Sequence, residues 1–164
     1  DEDMKPITEA SHIVIVARDY AEKYTGTTNL EDACRIIYER GALIAGITDG
    51  ANGSYFVWPD GTSYRCEPFS QATVVDTTGA GDSFHGAFLA NLAHTINHME
   101  GQDHTSMSKF GGASIHAVEL LKHCTHSDLE KAAMFASAVA SLNTQGIGGR
   151  SPLPTLQSVQ ELIG

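Results

Sequence analysis

The sequence is poor in basic residues and contains no long apolar run. It has 10 Lys and Arg against 20 Asp and Glu, which gives a formal net charge of −10, and its basic residues form no cluster. This balance argues against nucleic acid or an anionic membrane surface as a partner, because both bind basic patches. No apolar stretch reaches the roughly 20 residues that span a bilayer, and the N-terminus shows no secretory signal pattern.

Cysteine is scarce as well. The three cysteines, Cys34, Cys66 and Cys124, are an odd number without the spacing of a disulfide framework or a zinc site. We therefore expect reduced thiols and a cytoplasmic protein. What the sequence does have, 164 residues with 41% hydrophobic content, is enough for a globular domain with a core.

Histidine, in contrast, is abundant, with eight in the chain. His94 and His98 are four residues apart and would share a helix face, and His123, Cys124 and His126 lie close together in sequence. Zinc sites use tighter paired spacing, and no set of four ligands is apparent here. We interpret these residues as solvent-facing and predict no metal site built from protein ligands.

The order of the predicted elements is typical of an α/β fold. A strand, helical segments and a second strand come first, which is the unit of a parallel sheet, and a β-hairpin with a Pro59-Asp60-Gly61 turn follows. Apolar periodicity and turn residues predict strands at 13–16, 43–48, 54–58, 63–66 and 74–76. They predict helices at 19–24, 30–40, from 84 onward, 113–123, from a capping box at 127–130 through 139, and 155–163.

The loop between residues 76 and 84 combines two glycines with a carboxylate. An apolar run ends at Asp76, Gly79 and Gly81 follow, and Phe84 opens a segment with helical spacing, so we predict a buried strand, a tight loop and a helix. The first N–H groups of such a helix form an anion site, typically for phosphate. Asp82 would repel that anion, unless it takes a proton from a hydroxyl that attacks the bound phosphoryl group.

A simpler interpretation remains open from the residues alone. The glycines could only shape a turn, and Asp82 could be a first-turn carboxylate that the helix dipole favours. Other phosphate motifs do not decide the matter. The chain has no Gly-Lys-Ser/Thr of a P-loop, and Phe84 stands where a dinucleotide fingerprint needs its third glycine.

The stretch Asp76-Thr77-Thr78-Gly79-Ala80-Gly81-Asp82-Ser83-Phe84 resembles the second signature of the ribokinase/PfkB family of carbohydrate kinases. The resemblance implies ATP-dependent phosphorylation of a sugar hydroxyl, with Mg²⁺ bridging the phosphates. In these terms Asp82 is the catalytic base, and the amides of Gly79, Ala80 and Gly81 form the anion hole.

The same resemblance assigns further ligand contacts. Thr48-x-Gly50-x-x-Gly53 is similar to the family segment beside the nucleotide phosphates and ribose, although a plain strand-to-hairpin turn would have the same residues. Family likeness also places Ser137 near the adenine, and it places Asp76 and Thr78 near a monovalent cation such as K⁺.

The resemblance runs from about Ser11 to the end of the chain and covers about the second half of a family kinase. It implies an α/β, ribokinase-like fold with a mostly parallel sheet flanked by helices. Residues 1–164 would be the C-terminal part of a single domain, with a loop insertion at 98–112 and a glycine loop at 145–152. The expected partners are a sugar substrate and the missing N-terminal half with its lid, and the alternative of a homodimer is left open. Without the N-terminal half, the chain is expected to expose an edge of its sheet.

Two departures from the family pattern bear on function. Ala17 and Tyr20 stand where many members have Asn-x-x-Glu, so the side chains of that water-mediated magnesium contact are absent. The segment Ile13–Gly26 resembles ketohexokinase-like members, which favours a ketose or related sugar. The alternatives are a non-catalytic binding or assembly subunit of kinase shape, and a nucleoside or phosphosugar kinase of the same family.

Overall fold

The computed structural model of the chain describes residues 4–69, 73–99, 113–150 and 153–164. In these ranges the elements follow in the order α1 (Lys5–Ala10), β1 (Ile13–Ala17), α2 (Arg18–Thr25), α3 (Leu30–Glu39), β2 (Ile44–Thr48), a 3₁₀ turn (Gly50–Asn52), β3 (Ser54–Val57), β4 (Ser63–Cys66), α4 (Ala80–Met99), α5 (Ala113–His123), α6 (His126–Asn143) and α7 (Leu156–Ile163). None of the described helices combines the length and hydropathy that a bilayer crossing requires.

The described sheet has four strands in chain order. β1 and β2 pair in parallel, with Ile13 opposite Ile44, whereas β2–β3 and β3–β4 are antiparallel. The α/β class is therefore confirmed, and the described sheet is mixed where a mostly parallel one was expected. The reason is that only β1 and β2 are joined through helices, while β2, β3 and β4 are joined by short turns that force antiparallel neighbours.

The sheet separates two hydrophobic clusters, because successive side chains along a strand point to opposite faces. On one face Ala45 and Ile47 of β2 join the buried side chains of α2 and α3. On the other face Ile44 joins the buried side chains of α4, α5, α6 and α7. The result is a helix–sheet–helix arrangement in which α4 and α6 pack along each other.

Aromatic rings attach α4 to the sheet. Phe56 of β3 stacks on Phe88 of α4, with centroids 5.6 Å apart, and on Trp58 at 4.7 Å. Phe88 is fully buried, which contributes about 1.5–3 kcal/mol from burial alone. Gly46 makes room for the stack, since a Cβ there would lie 2.7 Å from the Phe56 ring. These contacts fix the position of the helix that carries Asp82.

The predicted buried strand at 74–76 does not form. Val74 and Val75 are 62% and 51% exposed, and the segment has no strand conformation. Its amides instead bind the end of α6, where Val75 N and Asp76 N donate to Thr144 O at 2.8 and 3.1 Å. The physical reason is that no described strand runs beside it, so neither a ladder nor a covering face is available.

Two helix boundaries also differ from the predictions. The capping box of α6 uses Thr125 and Asp128, each accepting from the backbone N–H of the other, and so begins two residues before Ser127. α4 extends through His98 to Met99, so the predicted loop at 98–112 begins later. Residues 100–112 lie outside the described residues, and the insertion therefore stays a prediction. The short α1 was not predicted, because its sequence shows no apolar residues repeated at helical spacing.

Candidate active site

Asp82 is the third residue of α4, and its side chain is exposed at the N-terminal end of that 20-residue helix. The turn before it depends on Gly79, which has φ +80° and packs directly against Gly149. A Cβ at Gly79 would collide with the Gly149 backbone. Glycine is thus required at this position by conformation and by contact.

The first turn of α4 leaves backbone donors available. Among the described residues, the amides of Gly79, Gly81 and Asp82 have no hydrogen-bond acceptor, whereas Ala80 N donates to Thr77 O at 3.2 Å. A Cβ built on Gly81 would meet nothing within 4 Å, so the turn is open at that point. Free N–H groups at the positive end of a long helix form an anion site. Of the three amides predicted to form the anion hole, that of Ala80 is the one that already has a hydrogen-bond acceptor.

The carboxylate of Asp76 joins the Asp82 loop to the glycine loop after α6. Its oxygens accept from Thr78 N and from Gly148 N, both at 2.9 Å. These two backbone donors, Thr78 first, lower the pKa of Asp76. Asn143 adds a longer bond from Nδ2 to Thr78 O at 3.4 Å. Asp76 and Thr78, the predicted cation ligands, are therefore neighbours, and both take part in the hydrogen bonds that join the two loops.

Asn143 is a residue that sequence reasoning missed. It is completely buried, and its Oδ1 has no partner among the described residues. Asp76, Thr78 and Asn143 thus bring oxygen atoms to the junction of the two loops, and oxygen is the ligand type that hard cations prefer. This donor set fits a cation. No local sequence signal marks Asn143, because it is one polar residue at the end of an apolar helix.

A cleft of about 400 Å³ lies between the β2–β3 connection, the start of α4 and one face of α6. The residues predicted to bind nucleotide all line it, and they are Thr48, Gly50, Gly53 and Ser137. Ala80 and Gly81 line it as well, while Asp82 follows Gly81 directly and is not part of the lining. The remaining wall is mostly apolar and consists of Ala51, Pro68, Phe69, Val74, Thr77, Phe84, Ala140, Ser141 and Thr144. A mostly apolar cleft with a few polar groups is typical of ligand sites.

The loop after β2 owes its shape to glycine. Gly50 has φ +52° and Gly53 φ +89°, and a side chain at Gly53 would run into the Cys66 carbonyl. Between them Asn52 Nδ2 donates to Asp49 Oδ2 at 3.1 Å. The loop backbone can therefore approach a ligand closely on the cleft side, where Gly50 has open space.

Arg18 is a second residue that the motifs did not single out. It begins α2 at the carboxyl end of β1, and its guanidinium pairs with Glu22 at 2.7 Å and Asp49 at 3.1 Å. The hydrogen bond to Glu22, followed by the charge of Asp49, raises the pKa of Arg18. Arg18 lies between Ala17 and Tyr20, so a guanidinium stands in the stretch where the family motif has its polar pair.

Cys66 is a buried free cysteine close to the cleft residue Ser137. Burial raises the pKa of its thiol. Ser141, one turn further along α6, donates from Oγ to Phe69 O at 2.6 Å and so closes the cleft wall. A buried thiol of raised pKa is a poor nucleophile, which leaves Cys66 a packing role.

Three further histidines have contacts in the structure. The rings of His94 and His98 lie with centroids 4.1 Å apart and planes tilted by 52°. His126 Nε2 lies 2.7 Å from Asp60 Oδ2. Within the part of the chain that the structure describes, no three His, Cys, Asp or Glu side chains are grouped as for a metal ion.

Comparison with known proteins places the chain in a family. A profile described as pfkB family carbohydrate kinase matches residues 1–156. The chain is 28% identical over 136 residues to the bifunctional ribokinase/ribose-5-phosphate isomerase A of Fructilactobacillus sanfranciscensis, which covers 83% of this chain and 19% of that protein.

Solved structures share the fold. A ribokinase from Giardia lamblia superposes with a TM-score of 0.73 at 20% identity, covering 97% of this chain and 46% of that one. A double mutant of the fructokinase from Vibrio cholerae O395, in a form with fructose, ADP and potassium ion bound, gives 0.71 at 19% identity, covering 98% and 43%. The predicted ribokinase-like fold is thereby confirmed, and the chain spans less than half the length of each of these proteins. The chain belongs to the pfkB family of carbohydrate kinases.

Proposed function

We propose that this chain supplies the catalytic base, the anion site and the nucleotide cleft of a kinase that transfers the γ-phosphoryl group of ATP to a sugar hydroxyl. One observation carries the proposal. Residues from the β2–β3 connection, from the first turn of α4 and from α6 line a single cleft, and Asp82 follows one of them directly. The names of the relatives, ribokinase and fructokinase, support a sugar as acceptor.

In the proposed reaction Asp82 accepts the proton of the sugar hydroxyl. The hydroxyl oxygen forms a bond to the γ-phosphorus of ATP, the bond from that phosphorus to the β–γ bridging oxygen breaks, and ADP leaves. The amides of Gly79 and Gly81 stabilise the negative charge on the transferring group, and Ala80 adds its amide if the long bond to Thr77 opens. Mg²⁺, when bound with the nucleotide, would neutralise phosphate charge.

The nucleotide would lie along the cleft. Thr48, Gly50 and Gly53 would contact its phosphates and ribose, because the glycine backbone allows close approach. Ser137 and the apolar wall formed by Phe69 and Ala140 would hold the adenine. Since Ala17 and Tyr20 carry no metal-binding side chains, we expect Mg²⁺ to be held chiefly by the phosphates.

A monovalent cation such as K⁺ would bind at the junction of the two loops. Asp76 and Thr78 are the proposed ligands, and the unpartnered Oδ1 of buried Asn143 is the observation that fits a cation there. The cation would stabilise the hydrogen bonds of Asp76 to both loops, and these bonds keep Gly79 packed against Gly149. A ketose is the preferred acceptor, on the likeness of Ile13–Gly26 to ketohexokinase-like members.

The test is sugar-dependent ADP release from MgATP by the protein at its full natural length. Fructose, ribose and other sugars are offered in turn, with nucleosides as the rival acceptor class. We expect Asp82→Asn to lower kcat by about a hundredfold or more, since general-base catalysis contributes on that order. Asp19→Asn is the matched control, because Asp19 is also an exposed aspartate in the first turn of a helix.

The outcomes separate the candidate functions. Turnover that is lost in Asp82→Asn and kept in Asp19→Asn supports the proposal and identifies the acceptor. Turnover with nucleosides alone would favour the nucleoside kinase. ATP binding without transfer to any acceptor would favour the non-catalytic subunit.

A further inference from the structure

The cleft offers few polar side chains to a ligand. Of the described residues that line it, none has a charged, amide or imidazole side chain, and the polar side chains are all hydroxyls. Ser137, Ser141 and Thr144 have the spacing of one face of α6, and they line the cleft together with the apolar residues Phe69 and Ala140. The other two hydroxyls lie at the end of β2 and in the loop before α4. Side-chain recognition of a nucleobase here therefore depends on which hydroxyls can donate and which can only accept.

The hydroxyl of Ser141 can only accept a hydrogen bond from a ligand. Its Oγ lies 2.6 Å from Phe69 O, and a carbonyl oxygen has no hydrogen, so the hydroxyl hydrogen belongs to this bond. The side chain of Ser141 is half-buried and lines the cleft. If the hydrogen turned toward a ligand instead, the bond to Phe69 O would break.

The hydroxyl of Thr144 is restricted in the same way. Its Oγ1 donates to Ser141 O at 2.7 Å, so only lone pairs remain for a ligand. The neighbouring backbone amides are engaged as well, because Val75 N and Asp76 N both donate to Thr144 O. The end of α6 therefore presents two hydroxyl acceptors to the cleft.

The spacing of the two hydroxyls suits an amino group. Thr144 follows α6 with helical backbone angles, φ −72° and ψ −8°, and residues three apart on a helix have Cβ atoms about 5–6 Å apart. An exocyclic amino group has two N–H bonds about 120° apart, so at N···O distances of about 2.9 Å it reaches two oxygens that are about 5 Å apart. A keto oxygen in the same place has only lone pairs, and these would face the lone pairs of both hydroxyls.

We propose that Ser141 and Thr144 select the base of the phosphoryl donor, because together they accept from an amino group at position 6 of a purine and disfavour a keto oxygen there. The proposal rests on the proposed function, since it takes the cleft as the nucleotide site with the base beside Phe69 and α6. It adds the chemical class of donor that the site takes, which is the 6-aminopurine nucleotides.

ADP and inosine diphosphate are matched probes for this selection. The two differ only at the edge of the base, where inosine diphosphate has a keto oxygen and a hydrogen on N1. Each is titrated calorimetrically into the full-length protein at the same Mg²⁺ and K⁺ concentrations. We expect ADP to bind at least tenfold more tightly, because the keto base loses the amino donor and leaves acceptors unpaired. A ratio below about threefold would overturn the proposal.

A third probe separates attraction from repulsion. The diphosphate of purine riboside has only a hydrogen at position 6, so it lacks both the amino donor and the keto oxygen. We expect its affinity to lie between those of ADP and inosine diphosphate. Affinity equal to that of ADP would mean that the amino group makes no hydrogen bond, and it would overturn the proposal.

Two substitutions locate the selection. Thr144→Val removes Oγ1 with little change of shape, and Ser141 O keeps a donor because Thr144 N lies 3.2 Å from it. Ser141→Ala removes the other acceptor. In the double variant we expect ADP and inosine diphosphate to bind within about threefold of each other, chiefly through weaker binding of ADP. Melting curves check that the variant is folded, and the wild-type ratio tests the proposal without it.

Ser137→Ala is the comparison, because it removes a hydroxyl of the same cleft that lies outside the proposed pair. We expect it to keep a ratio of at least tenfold between ADP and inosine diphosphate, whatever it does to the affinity for ADP. A wild-type ratio in the double variant, or a ratio that is lost in Ser137→Ala, would overturn the proposal.

The binding measurements keep this inference apart from catalysis. Selective binding of ADP without phosphoryl transfer would support the inference and refute only the role of Asp82. Equal affinities for ADP and inosine diphosphate would overturn the inference and leave the nucleotide cleft in place. Absence of binding by either diphosphate would overturn both.

Discussion

At the scale of single residues, the geometry of the candidate site depends on one carboxylate and one glycine. Asp76 holds Thr78 and Gly148 through backbone bonds, and Gly79 lies against Gly149. The two contacts join loops that are about 70 residues apart in sequence. The local pattern predicted that both residues matter, but it could not predict the partner loop, because nothing in residues 76–84 specifies a contact with 148–149.

Replacing Asp76 by Asn should lower thermal stability and nucleotide affinity, because an amide cannot accept from both backbone donors. The pKa of Asp76 is lowered in the folded protein, while an unfolded aspartate titrates near 3.9. The stabilisation is therefore fully present above about pH 4 and is lost as the pH falls through the lower, folded pKa. Melting curves of wild type and Asp76→Asn should differ at pH 7 and converge in acid.

The control for this measurement is Asp19→Asn, in which an exposed helix-start carboxylate is removed. Its melting temperature should stay close to that of wild type at every pH. A gap between wild type and Asp76→Asn that persists undiminished at pH 2 would mean that the charge of Asp76 is not what holds the loops.

Gly79 and Gly86 should respond to alanine in opposite directions. Gly79→Ala places a Cβ at positive φ and against the Gly149 backbone, and we expect it to destabilise the fold by more than about 1 kcal/mol. Gly86 is exposed in the middle of α4 with open space around it. There alanine should stabilise by about 1 kcal/mol through helix propensity. Urea unfolding of the two variants measures both, and equal effects would contradict the assigned geometry.

At the scale of elements, the sequence predicted the helices with clear periods and the hairpin, and it failed where tertiary partners decide. The apolar residues Val74 and Val75 suggested a buried strand, yet a strand needs a neighbour and none is described beside them. The start of α6 was placed at Ser127 because Ser-x-x-Glu is the commoner box, whereas the structure uses Thr125 and Asp128. Both patterns lie in the sequence two residues apart, and only the backbone conformation selects one.

The cap assignment can be tested with two similar substitutions. Thr125→Ala removes the side chain that accepts from Asp128 N, and we expect a loss of about 1 kcal/mol in the free energy of unfolding. Ser127→Ala removes an exposed hydroxyl inside the first turn and should change it by less than about 0.5 kcal/mol. Denaturant titration compares them directly, and a larger loss at Ser127 would restore the cap predicted from the sequence.

At the scale of the whole molecule, the described residues contain the parts of the site that we propose for the nucleotide. The cleft, the free amides and Asp82 are all present in the described residues, while the chain spans 43% of the Vibrio fructokinase structure. The net charge of −10 repels ATP at long range, so binding must come from local groups such as the helix N-terminus. Family likeness predicted four residues that line this cleft, Thr48, Gly50, Gly53 and Ser137; their contact with nucleotide stays a prediction, and residues that select the sugar were not predicted.

We propose that the phosphates of the nucleotide bind at the first turn of α4. Gly81 lines the cleft, and a Cβ there would meet no protein atom within 4 Å, so we expect Gly81→Leu to add bulk at the proposed anion site without disturbing the fold. The measurement is calorimetric titration of the full-length protein with ADP, beside Ala93→Leu, which adds the same side chain at an exposed position of α4. We predict at least a tenfold loss of ADP affinity in Gly81→Leu, with an unchanged melting temperature and no loss in Ala93→Leu. Wild-type affinity in Gly81→Leu would contradict the claim.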